Sequence, residues 1–123
     1  MAALTRLLVL IAVIGWSGIT PQTVQAQGLA RMLDESGIEP ESLAIMQDTA
    51  KSLYTANGKA IGDNKKWTNE KTGTAGRVEI VDLKNNCVQL FHRVEAGRSG
   101  KVTELRTWRC RTANGDWQMS AKP

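Results

Sequence analysis

The chain is poor in the residues that most often carry chemistry. It has one histidine, His92, and two cysteines, Cys87 and Cys110. A protein zinc site draws its ligands from several Cys, His or acidic residues. A lone histidine and two cysteines 23 positions apart do not supply that set, so neither a metal nor another cofactor is expected. The glycines do not form a phosphate-binding loop after a strand. No serine, acid or second cysteine can be tied to His92 by spacing. Its place in an alternating stretch reads as a structural or surface histidine rather than a general base. Asp34, Glu35, Glu39 and Glu41 read as helix-end and solvated surface residues. The expectation is a protein that is not an enzyme, with a small hydrolase kept as an alternative.

A long apolar run is also missing. The longest, Leu7 to Ile14, follows a single basic residue, Arg6, and gives way to Gly15, Gly18 and Pro21. A membrane-spanning helix needs roughly 20 apolar residues. Val24-Gln25-Ala26 closes the segment with small residues, as at a cleavage point. That is the plan of a secretory signal peptide over residues 1–26, with a single domain over 27–123 and no transmembrane segment in the mature chain. Gln27 stands where a lipoprotein would carry cysteine. The expected location is therefore periplasmic or secreted, with peripheral envelope association open. The formal charge is +4. This mild basic balance slightly favours anionic envelope surfaces and does not indicate a nucleic-acid binder; export argues independently against DNA or RNA.

Two cysteines in an exported chain of this size most often pair, because the compartment is oxidising. A Cys87–Cys110 crosslink would stabilise the fold by roughly 3 kcal/mol in the chain-entropy model. The alternatives are a free pair and a metal site.

Helical signals precede strand signals. Gln27 to Ser36 fits a short helix ended by Gly37. Pro40 suits a first helical turn, and Leu43, Met46, Ala50, Leu53 and Tyr54 follow at three- and four-residue spacing. The helix they form has about four turns, and Ile38 with Leu43 fits a hydrophobic staple at its start. From Ala60 onward turn residues and β-branched alternation take over. Strands are expected over 77–83, 87–94, 101–112 and 116–120, the last pair joined at Asn114-Gly115. An edge strand around Trp67 is an addition to these. The fold class is α+β: one main amphipathic helix on a curved antiparallel meander sheet of about four strands, with a cystatin-like arrangement suggested by element order. If Cys87 faces Cys110 across an antiparallel pair, Arg93 faces Glu104 and Phe91 faces Arg106. Phe91 and Trp108 then share the cysteine face, while Val88, Leu90, Val94 and Leu105 share the other. Which face the helix covers is left open.

A spaced motif runs through the strand region. Trp67, Asn69, Thr72, Gly73, Gly76 and Val78 give W-x-N-x-x-T-G-x-x-G-x-V, and Cys110, Arg111, Gly115 and Trp117 give C-R-x-x-x-G-x-W. Over residues 67–118 this resembles the C-terminal domain of the rickettsial 17 kDa surface antigen family, small proteobacterial envelope proteins. The resemblance implies an envelope protein without established enzymatic activity. The chain lacks that antigen's lipid-accepting cysteine and its glycine-rich apolar segment, which favours periplasmic or secreted over outer-membrane anchored.

Physical roles can be given to several of these residues. Gly73 and Gly76 suit positive φ or close backbone approach. Asn69 and Thr72 suit bonds to local backbone. Trp67, Trp108 and Trp117 suit core packing, with an aromatic platform for glycan or peptide as the alternative. Lys65, Lys66, Lys71 and Arg77 form one basic stretch, and Arg106, Arg109 and Arg111 another. Trp108 with the second stretch is the candidate binding surface. The partners considered are an envelope protein, lipid A or an acidic glycan. The leading functional expectation is a non-enzymatic envelope protein that binds one of these; the alternative is a structural or stress-protective periplasmic protein with no dedicated ligand.

Overall fold

Alternation of apolar and polar residues from Ala75 to Arg111 builds three long strands, and short turns fold them back on one another. In the computed structural model, which describes Arg31 and residues 34–123, the element order is α1 (Pro40–Tyr54), β1 (Asn64–Thr68), β2 (Ala75–Lys84), β3 (Cys87–Glu95), β4 (Val102–Arg111) and β5 (Trp117–Ser120). The five strands form one open antiparallel sheet in sequence order. The signal segment over 1–26 and most of the helix expected over 27–36 lie outside the described residues. No helix among the described residues is long and apolar enough to cross a membrane.

The sheet has five strands where about four were expected; the fifth is the Trp67 edge strand. In β1 only Trp67 is buried, so the strand carries almost no alternation of its own. It is held by pairing with β2, where Trp67 lies opposite Gly76.

α1 begins at Pro40, whose missing N–H would have no helical acceptor in the first turn. Its buried stripe is Ser42, Met46, Ala50, Leu53 and Tyr54. This stripe lies on the sheet face that carries Val78, Ile80, Val88 and Leu90, each at most 1% exposed. A second cluster joins Ile38, Met46, Trp67 and Val94, with Leu43 packed against it. Fully burying a Val or Leu side chain stabilises by roughly 1.5–3 kcal/mol, so this face provides most of the fold's apolar stabilisation.

The β3–β4 register places Cys87 opposite Cys110, and the two are joined by a disulfide. Arg93 lies opposite Glu104, its Nη1 2.7 Å from the carboxylate. Both side chains are more than half exposed, so the pair marks register more than it stabilises. The helix covers the face opposite the disulfide. The face away from the helix carries Phe91, with the Arg106 guanidinium 5.4 Å from its ring centroid, and half-buried Trp108.

β2 contains one irregularity. Ile80 pairs with Leu90 but Asp82 pairs with Gln89, leaving Val81 as an extra residue in the strand. This bulge shifts the phase of the strand by one residue. Beyond it Leu83, opposite Val88, takes the helix side, and Asp82 turns to the face away from the helix.

Candidate functional site

The two halves of the spaced motif do different work. The first half is a structural lock. Trp67 lies over Gly76, where a Cβ would stand 2.6 Å from two indole ring atoms and 2.8 Å from the Arg93 carbonyl; only glycine permits this approach. In the β1–β2 turn the Asn69 amide N–H donates to the Thr74 carbonyl at 2.7 Å, and the Asn69 carbonyl accepts from Gly73 N–H at 2.8 Å. Asn69 Oδ1 accepts from Lys71 N–H, and Thr72 Oγ1 accepts from Thr74 N–H. Gly73 has φ +76°, so it supplies the positive φ and Gly76 the close approach.

The lock also reaches α1. Asn69 Nδ2 donates to Ser42 Oγ at 2.9 Å, and Ser42 Oγ donates to Glu39 Oε2 at 2.8 Å. Thr74 Oγ1 donates to the same carboxylate at 3.0 Å and accepts from Gly97 N–H at 3.1 Å. The Ser42 hydroxyl, followed by backbone and Thr74 hydrogen bonds, holds the Glu39 carboxyl below its ordinary pKa. This network ties the start of the helix to the β1–β2 turn and to the loop after β3.

The second half builds a cleft. Arg111 ends β4 and Trp117 opens β5, and the two are register partners. The turn between them closes through Thr112 N–H to the Asp116 carbonyl at 2.7 Å and Gly115 N–H to the Thr112 carbonyl at 2.9 Å. Arg111 runs beside Gly115: a Cβ there would stand 3.5 Å from its Nη2. Trp117 packs on Tyr54 at the end of α1, ring centroids 5.2 Å apart. The Lys59 ammonium stands 5.5 Å from the Trp117 centroid, a cation–π distance. The β2–β3 turn closes the far side. Asn85 takes a left-handed conformation with φ 55°, and the Asn86 carbonyl accepts the Arg111 backbone N–H at 2.8 Å.

These segments enclose an open cleft of about 380 Å³. Lys59, Arg111, Trp117, Asn85 and Asn86 supply its polar and aromatic lining, above Leu83, Val88 and the disulfide at Cys87. Among the described residues, two cations and no carboxylate line it. The bulge at Val81 contributes to this, because it exchanges Asp82 for Leu83 on this side of the sheet. Among the described residues that line the cleft, no nucleophile is paired with a base.

His92 lies elsewhere. It is 3% exposed on the helix side of β3, and its Nδ1 is buried without a hydrogen-bond partner among the described residues. Burial, reinforced by the Arg109 charge, pushes its pKa down to about 4. No group of three or more His, Cys, Asp or Glu residues that could hold a metal occurs among the described residues.

Strand alternation divides the binding surface expected from sequence. Arg106 and Trp108 share the face away from the helix with the disulfide. Arg109 and Arg111 point to the helix side, where the Arg109 guanidinium stands 5.7 Å from the Tyr54 ring. Of the four, Arg111 alone lines the cleft. Sequence reasoning did not single out Lys59, Asn85 or Asn86. The turn composition around the two asparagines was visible, but their meeting with Arg111 and Trp117 depends on where the helix ends over the sheet.

No family model matches this chain, and no curated protein or solved structure is significantly similar to it.

Proposed function

We propose that the chain is a non-enzymatic protein of the bacterial envelope, periplasmic or secreted after removal of its N-terminal signal segment, that binds an envelope component. The observation that carries this reading is the cleft: two cations, two asparagines and an indole line one concavity, with no acid among the described residues of its lining. Largely pre-formed concave sites with a few convergent polar groups are the usual form of a binding site. The reading as a binder rather than an enzyme is supported by the place of His92, which is buried in the sheet and outside the cleft. The likeness to the surface antigen family belongs to the same proposal and rests on the motif residues alone. Its C-R-x-x-x-G-x-W ending supplies Arg111 and Trp117 to the cleft, with Gly115 beside them. A cystatin-like arrangement, with one helix ahead of an antiparallel meander, is part of the proposal too. Among the partners considered from sequence, the cationic lining favours an anionic one, such as lipid A or an acidic glycan, over a neutral surface.

Cosedimentation with isolated outer membranes and with cell-wall sacculi tests the proposal. The chain should be retained on at least one of them, and Lys59→Gln with Arg111→Gln should abolish that retention while the fold persists by circular dichroism. Undiminished retention of the double variant would overturn the cleft as the site.

A further inference from the structure

The cleft's chemistry narrows the ligand further, on the premise that it is the binding site. Its two cations come from different elements: Lys59 follows α1 and Arg111 ends β4. Among the described residues Lys59 Nζ makes a 3.4 Å contact to the Ala56 carbonyl and stands 5.5 Å from the Trp117 ring centroid, neither of which neutralises its charge. Neither cation has an ion-pair partner among the described residues. Elsewhere on the surface Lys71, Arg77 and Arg93 each pair with a glutamate. Two uncompensated cations in one concavity raise the local positive potential and favour an oxyanion. Arg111 adds a planar fork of donors that matches phosphate or carboxylate.

A bare oxyanion leaves most of the cleft unused. About 380 Å³ is several times the volume such an ion fills, and it falls in the range of small-molecule sites. The rest of the lining has a mixed character. Asn85 and Asn86 offer side-chain amides, each with both donors and an acceptor. Trp117 and Leu83 offer apolar surface. Hydroxyl groups set around a ring whose faces present C–H bonds match that combination, since amides bond the hydroxyls and the indole packs on the C–H face. We infer that the cleft binds a phosphorylated sugar, its phosphate held between Lys59 and Arg111 and its ring against Trp117 and the Asn85–Asn86 turn. The sugar can be free or the headgroup of a lipid.

Isotope-labelled protein titrated with glucose 6-phosphate, inorganic phosphate and glucose tests this by NMR, read at the Trp117 indole N–H, the Asn85 and Asn86 side-chain amides and the Arg111 Nε–H. Glucose 6-phosphate should shift all of these. Inorganic phosphate should shift the Arg111 signal chiefly and bind at least tenfold more weakly, and glucose should shift none appreciably. Lys59→Gln should weaken glucose 6-phosphate binding about tenfold, and Arg111→Gln by more. Displacement of glucose 6-phosphate by vesicles containing lipid A would place the sugar on a membrane; failure of displacement would place it in solution, and both fit the inference. Equal response to glucose, equal affinity for phosphate, or no response at these signals would overturn it. If cleft-dependent cosedimentation persists while glucose 6-phosphate gives no response, the ligand class fails and the binding function stands.

Discussion

His92 should make the fold acid-sensitive in a pH range where imidazole titrates and carboxylates largely do not. The side chain is 3% exposed, its Nδ1 lacks a partner among the described residues, and Arg109 adds like charge nearby. Protonating it in place is therefore costly, and its pKa falls from 6.5 to about 4. The unfolded chain takes up the proton near pH 6.5 and the folded chain only near pH 4. Stability is thus full above pH 6.5, declines as the pH falls, and levels off below pH 4. The whole difference corresponds to roughly 3 kcal/mol, and the part between pH 7 and pH 5 to about 2 kcal/mol. For a small domain whose net stability is on the order of 5–15 kcal/mol, that is readily measured. Glu39 acts in a separate window. Its depressed pKa means its contribution is present above the ordinary glutamate value and is lost only as the pH falls through the lower folded one. Urea denaturation followed by circular dichroism at pH 7, 6 and 5 should show the decline, and His92→Gln should flatten it whatever its effect on stability at pH 7. A flat profile in the parent chain, or an unchanged slope in the variant, would refute the account of His92 as a neutral buried imidazole.

The packing leads to two further outcomes. Gly76→Ala should destabilise by about 1–3 kcal/mol, because the new methyl meets the Trp67 ring and the Arg93 carbonyl at once; thermal melts measure it, and a change below half a kcal/mol would show that the indole moves aside freely. Replacing both Cys87 and Cys110 with Ala should cost about 3 kcal/mol, from the loss of a crosslink spanning 23 positions in the unfolded chain; reduction of the parent chain should reproduce that loss in the same denaturation experiment.

The sheet was legible where local signals agreed, and obscure where a feature depended on distant segments. The β3–β4 register followed from one assumption, that Cys87 faces Cys110, and Arg93 opposite Glu104 supported it independently. The helix was readable because its stripe repeats at helical spacing from Leu43 to Tyr54. β1 was harder: Asn64, Lys65 and Lys66 are polar and exposed, and the strand exists because β2 offers an edge and Gly76 admits Trp67. The bulge did leave a trace in the sequence. Apolar residues fall on even numbers at Val78 and Ile80 and on an odd number at Leu83, a change of phase that an unbroken strand does not make. That change also shaped the cleft. Had the alternation continued, Asp82 would stand on the helix side near Lys59 and Arg111, and its carboxylate would compete with any anion for the same cations. By turning Asp82 away, one inserted residue in β2 leaves the cations of two distant segments without an ion-pair partner among the described residues, in a shared concavity. On the proposed function, the basic residue that matters is therefore the one whose side of the strand meets the end of α1. For this reason Arg111 lines the cleft while Arg106, five residues earlier in the same strand, stands on the opposite face beside Phe91.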